Sequence, residues 1–343
     1  MDNLKRKLCS QPKPLIQHFE TGVSGSRMGY ILTTNKKWIN GTEIRFMFIE
    51  GAESQKKVVR QAFQHWKQLG IGLTFKEVNS AEESLVRIGF DYLDGSWSYV
   101  GRDILTIPKI QRTMNFGWDL TADSYGMTTA LHEIGHTLGF QHEHQSGNAG
   151  IVWDDQAVYA EFSSPPNNWT RGQIDSNIIS KLPANQVQGS NWDPDSIMEY
   201  QFGPGLVLQP IPYRDGIFPP GILSKNDIAG VRSFYPTIQN AAIVNLEWKK
   251  AFAITAGPGD QNDFVFKATN SKKFVFQTAG HLDTVMTISE KTKDDVFYLA
   301  GDDDSGTDRN AKITLPLIQG REYLINVRVL YAAEVQSGSL IVS

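Results

Sequence analysis

His132-Glu-Ile-Gly-His-Thr-Leu-Gly-Phe-Gln-His142 is the stretch that decides how this chain is read. Helical periodicity surrounds it: Met127, Ala130, Leu131, Ile134 and Leu138 fall on one side, with Asp123 or Ser124 as N-cap. Residues four apart on a helix project from one face about a turn apart, so His132 and His136 can share a metal ion. Glu133, offset by one position, can reach a water at the ion's open site and take its proton. Gly139 marks the helix end, because glycine turns easily into the left-handed conformation. The reversed chain then brings His142 in as third ligand. Three neutral nitrogens plus water form a catalytic zinc arrangement, not a closed structural one. Five residue types at fixed spacing leave little room for the alternative of three scattered surface histidines.

Upstream, residues 1–40 read as a loosely structured arm broken by Pro12, Pro14, Gly22, Gly25 and Gly29. Thr42–Glu50 is strand-like, and Ser54–Leu69 carries Val58, Val59, Ala62, Phe63, Trp66 and Leu69 as one helical stripe. Leu73–Val78 and Leu85–Phe90 read as short strands, with a further one within Gly95–Gly101. This order predicts a mixed sheet with helices packed on it. Downstream, Thr170 with Gln173 and Ser224 with Asp227 form capping-box patterns opening two helices, the second ending at Pro236. Residues 203–221, rich in proline and glycine, predict a long irregular loop, and loops of that length are usually functional.

The second chemical signal is Asp195-Ser-Ile-Met-Glu-Tyr200. Downstream of such a zinc helix it matches the methionine turn of metzincins. Together, residues 132–143 and 196–200 resemble the zinc signature and Met-turn of the astacin family, over roughly residues 40–236. The resemblance implies an α+β metzincin zinc-peptidase domain at 41–238, with Zn2+ on His132, His136 and His142 and Glu133 as general base. It implies Met198 as the apolar floor beneath the metal. It also implies Tyr200 as a fifth ligand that swings off to stabilise the oxyanion. A phenol can donate to such a developing charge, and a packed core tyrosine is the other reading. Glu143 matches a glutamate that contacts the trimmed N-terminus of mature family members, whereas this chain carries an untrimmed arm. Two family features are missing: disulfides, since Cys9 is the single cysteine, and the arginine after the zinc motif, where Gln145-Ser146-Gly147 stand. A divergent branch fits these departures. Residues 95–101 resemble the edge strand along which metzincins align substrate, with an ordinary hairpin strand as alternative. By the same resemblance, Cys9 in the arm can hold zinc's fourth position and keep the enzyme latent, and a free cysteine near a frayed terminus is the bland reading. Residues 203–214 are expected to line the specificity pocket, with Arg214 favouring an acidic residue. His144 has no evident constraint on its direction.

After Pro236 short alternating runs separated by Gly, Asp, Asn and Ser clusters predict an all-β sandwich over 239–343. Gly280–Ile288 and Ala300–Gly306 resemble bacterial pre-peptidase C-terminal domains. Asp302, Asp303 and Asp304 can offer oxygen ligands to calcium, though a solvated acidic turn is the alternative. The 343 residues fit two domains, and a net charge of -4 gives no reason to expect nucleic acid. No apolar run follows the basic N-terminus to make a visible signal peptide, and no stretch is long enough for a membrane span. Protein or peptide substrates, a monomer and secretion by resemblance are the remaining expectations. The rival function is a zinc-containing binding or adhesion protein, which would have no use for Glu133.

Overall fold

β1, Glu43–Phe48, alternates as a half-buried strand should, with Ile44 and Phe46 facing the core. α1, Glu53–Gln68, then lays its apolar stripe on the sheet, burying Val59, Ala62, Phe63 and Trp66. Phe63 stacks on Phe46 with ring centroids 4.3 Å apart. β2, Thr74–Glu77, and β3, Val86–Gly89, pair parallel to β1 on either side. β4, Trp97–Ser98, closes the far edge antiparallel to β5, Met114–Asn115, which itself runs parallel to β3. The sheet order is therefore β2-β1-β3-β5-β4. The computed structural model describes residues 6–12, 36–38, 40–182, 192–240, 243–256, 260–292, 296–302, 305–329 and 335–343.

α2, Tyr125–Thr137, is the zinc-motif helix, and nearly all of it is buried. The Trp66 indole donates to the Leu131 carbonyl at 3.1 Å, tying α1 to α2. Asp123, not Ser124, serves the helix start, since its carboxylate accepts from the Tyr125 N–H at 2.9 Å.

Below the metal helix the structure is more ordered than the sequence predicts. β6, Val152–Trp153, pairs antiparallel with β7, Val207–Gln209, and Phe202 bridges to Ile217. The stretch 203–221 is thus pinned at two places rather than being one irregular loop. Its paired segments are too short to show a period of two. α3, Asp155–Phe162, is capped by Asp154, which accepts from Ala157 N. α4, Arg171–Ile174, opens with the reciprocal Thr170–Gln173 capping box. At α5, Lys225–Phe234, Ser224 and Asp227 each accept from the other's backbone N–H, at 3.0 and 2.8 Å. Among the described residues no helix is long and apolar enough to cross a membrane.

The chain divides into two compact units: residues 1–38, 43–69 and 73–234 make one, and residues 235–343 with 39–42 and 70–72 make the other. In the second, β10 (Ala251–Ala256), β17 (Gln336–Val342), β12 (Lys272–Gly280) and β15 (Lys312–Leu317) form one sheet. β14 (Val296–Asp302), β13 (Thr284–Lys291), β16 (Glu322–Val329), β11 (Asp260–Lys267) and β8 (Gln239–Asn240) form the other. Phe264, Phe266, Phe274, Phe276, Ile288, Ile325 and Leu340 fill the core. The pairing is antiparallel except that β8 and β9, Val244–Asn245, run parallel to β11. Ala251–Ala256 is passed over by the sequence reading because alanine is a poor strand former. Asp302 accepts from Ser305 N at 3.1 Å and Lys312 N at 2.7 Å, so its carboxylate closes the local turn. Asp303 and Asp304 lie outside the described residues.

Candidate metal centre and active site

α2 puts His132 and His136 one turn apart with ring centroids at 4.8 Å. Gly139, at φ +97°, takes the left-handed turn that ends the helix, and the reversed chain delivers His142. The His142 Nε2 then lies 3.3 Å from His132 Nε2 and 3.0 Å from His136 Nε2. Ligands about 2.0–2.1 Å from a tetrahedral zinc sit about 3.3–3.4 Å from one another, so the spacing fits the ion.

The second nitrogen of each ring is committed elsewhere. His132 Nδ1 faces the Ile197 carbonyl at 2.7 Å, and His136 Nδ1 the Phe140 carbonyl at 2.9 Å. His142 Nδ1 faces Gln145 Oε1 at 3.2 Å, while the Gln145 amide donates to Ser176 O and Ser180 O. With Nδ1 as donor in each case, the Nε2 lone pair points into the centre. Burial pushes His132 down to about 4, and pushes His136 and His142 well below the usual imidazole value. Neutral imidazole is the ligating form. Glu133 is fully buried, raised to about 8 by burial, and its Oε1 has no hydrogen-bond partner. An orphaned buried carboxylate oxygen beside three converging nitrogens matches a site built to work with an ion and water.

Met198 lies against the helix underside. A Cβ on Gly135 would fall 2.4 Å from Met198 Sδ, so a larger residue there would push the thioether aside. The turn is held from α5: Asp227 accepts from Ser196 Oγ at 2.6 Å and Ile197 N at 2.8 Å. The sequence reading sees Asp227 only as half of a capping box. The same carboxylate also positions the turn whose Ile197 carbonyl orients His132. Its signal, an aspartate three residues after a serine, does not distinguish the two tasks.

Tyr200 is buried, its ring centroid 4.3 Å from that of His142. Its hydroxyl donates to the Cys9 carbonyl at 2.5 Å. Cys9 itself reaches the centre: its Sγ lies 3.6 Å from Glu133 Oε2 and 3.6 Å from His136 Nε2. The ligand atoms of Cys9, His132, His136 and His142 all lie within 4.8 Å of one another. Burial, then Glu133, pushes the Cys9 thiol up. A divalent cation among the same atoms acts in the opposite sense and favours the thiolate.

Residues 6–12 pass through the site without regular secondary structure and make much of their contact through the backbone. Leu8 N donates to Asn167 Oδ1, Ser10 N to Ser96 O and Gln11 N to Asn177 Oδ1, each at 2.9 Å. The Tyr125 hydroxyl donates to Lys7 O at 2.8 Å. Ser96 immediately precedes β4, so the arm meets the edge strand at its start. That strand is only Trp97–Ser98, shorter than the glycine-bounded run 95–101.

Other expectations are relocated. His144 is buried with its direction fixed, its Nδ1 3.2 Å from Glu199 Oε1 and its Nε2 2.8 Å from Asn177 O. Glu143 accepts from Asp193 N at 3.2 Å, and burial raises it to about 8. The cavity beside Glu133 is lined by Trp118, Tyr125, Thr128, Thr129, Ile197 and Pro219–Gly221, and a second cavity that shares Arg6 and Leu8 with it is lined by Gly203, Pro204 and Leu206, within 203–214. Arg214 instead donates to Leu208 O at 2.9 Å, and no residue of 203–214 lines the cavity beside Glu133.

Residues 31–203 match the model of the astacin peptidase family. Tolloid-like protein 1 of Mus musculus is 31% identical over 193 residues, covering 53% of this chain and 17% of that protein. Zinc metalloproteinase nas-28 of Caenorhabditis elegans is 28% identical over 195 residues, covering 55% of this chain and 34% of that protein. The chain therefore spans about a third or less of these relatives. The solved structure of myroilysin superposes with a TM-score of 0.55 at 33% identity, covering 60% of this chain and 97% of that one. On the family match over half of its length, the chain belongs to the astacin family.

Proposed function

We propose that the protein is a zinc-dependent endopeptidase whose N-terminal arm, residues 1–40, holds it latent. Residues 41–238 would be the peptidase and 239–343 an accessory sandwich, in a secreted monomer. The observation that carries this reading is the arm itself. The cleft grips a peptide segment by its main chain, directly over three histidines and a glutamate whose Oε1 has no partner. A groove that binds backbone rather than side chains suits a peptide substrate.

His132, His136 and His142 would hold Zn2+, which supplies Lewis acidity and lowers the pKa of water. Glu133 is the general base: the buried, unpaired Oε1 accepts a proton from the attacking water, and the same carboxyl returns it to the leaving amine. Its raised affinity for a proton suits both transfers. Tyr200 donates to the oxygen of the reacting carbonyl, as its hydroxyl now donates to the Cys9 carbonyl. In the latent form Cys9 Sγ would join the three histidines in holding the ion, while the Cys9 carbonyl occupies the Tyr200 hydroxyl.

The test is metal removal. Protein freed of its arm should carry one zinc per chain and cleave casein, lose cleavage on chelation, and regain it with Zn2+. Cleavage that survives full removal of zinc would sink the proposal. Tyr200→Phe, assayed in the same form, should lower kcat about 10²–10³-fold with little change in KM. A mainly raised KM would mean that the tyrosine only shapes the cleft.

A further inference from the structure

We infer that Asp123 and the ring of Tyr125 form a substrate subsite for a basic side chain, arginine before lysine, at the end of the cleft. The inference rests on the peptidase reading and narrows its substrates to peptides with a cation near the scissile bond. Arg6 shows the seat filled. Its Nη1 lies 2.6 Å from Asp123 Oδ2, and its guanidinium carbon sits 4.7 Å above the Tyr125 ring centroid. Tyr125 is backed by Trp118, nearly parallel at 14° with centroids 6.0 Å apart, so the platform under the cation is fixed.

The flanking contacts are made to backbone: the Tyr125 hydroxyl bonds Lys7 O and Asn167 Oδ1 bonds Leu8 N. At this end of the arm, Arg6 is therefore where the cleft reads a side chain by charge. The adjoining cavity beside Glu133 offers no lysine or arginine apart from Arg6 itself. Its buried hydroxyls are spent internally, Thr128 on Gly221 O, Thr129 on Tyr125 O and Ser196 on Asp227. An acidic side chain would meet no counter-charge there. When the arm leaves, Asp123 Oδ2 loses its cation, while Oδ1 stays on the Tyr125 N–H. A planar guanidinium both stacks on the ring and forks to the carboxylate, which ranks arginine above lysine. The pair is partly exposed, 32% for Arg6 and 48% for Asp123, so the effect is moderate, about three- to tenfold.

The experiment uses the zinc-loaded full chain carrying Arg6→Ala and Cys9→Ala, which empties the seat. Fluorogenic peptides place Arg, Lys, Ala or Glu at each position on either side of one scissile bond. At one position kcat/KM should fall in the order Arg, Lys, Ala, Glu. Adding Asp123→Asn, which keeps a side-chain oxygen for the helix start, should bring the Arg-to-Glu ratio toward one. Equal rates at every position, or a preference that survives Asp123→Asn, would overturn the subsite while leaving the peptidase reading intact. No cleavage of any peptide, either by this variant or by protein freed of its arm, would overturn that reading and the subsite with it.

Discussion

Glu133→Gln should lower kcat/KM about 10²–10⁴-fold and leave zinc content unchanged. The three histidines owe their direction to Ile197, Phe140 and Gln145, none of which involves Glu133. The exchange therefore removes a proton acceptor without disturbing the ligands. Glutamine matches the shape of glutamate, and it removes a charge that burial disfavours in any case. Folding should be preserved, which circular dichroism of the two proteins would check beside their rates on one peptide and their zinc by atomic absorption. Equal rates at equal zinc would dismiss Glu133 as base. Loss of zinc in the variant would instead assign it to building the site.

Cys9→Ala in the full chain should raise the basal rate about tenfold or more, since each 1.4 kcal/mol of lost arm binding is a factor of ten. A thiolate on a divalent ion is the strongest single tie the arm can make at the centre. The rise should still stop short of full activity. Leu8 is buried in the apolar cluster around Phe162 and Trp169, and the backbone bonds to Asn167, Ser96 and Asn177 survive the substitution. Three measurements on one substrate decide the matter: wild type, the Cys9→Ala chain, and wild type whose thiol has been blocked by a mercurial. Wild type and variant turning over equally at equal zinc would reject latency through Cys9.

The metal helix was legible because two signals coincide in it: a 3.6-residue apolar period and liganding residues at a spacing that only that period converts into one face. β1 and α1 were legible for the first reason alone. What escaped has physical causes. α3 buries only Val158 and Phe162, too few for a stripe. The order within 203–221 rests in part on partners more than fifty residues away, Val152 and Trp153. His144 and Glu199 meet across 55 residues, so neither could be oriented from its neighbours in the chain. The sequence predicts a loose arm because Pro12, Pro14, Gly22, Gly25 and Gly29 interrupt it. Residues 6–12 are held in place for a reason that composition does not carry, a groove supplying partners for their backbone.

The supports behind the three imidazoles differ in kind, and this sets how the centre answers to genetic change. His132 and His136 lean on peptide carbonyls, which every residue type possesses. No substitution at Ile197 or Phe140 deletes the atom that matters. His142 leans on the side chain of Gln145, itself turned by Ser176 and Ser180. Two ligands are thus insulated from drift at the residue whose carbonyl they face, and the third is not. Variation in metal affinity among descendants of this sequence should therefore collect at position 145 more than at 140 or 197, since a single codon change there removes the atom that orients a ligand.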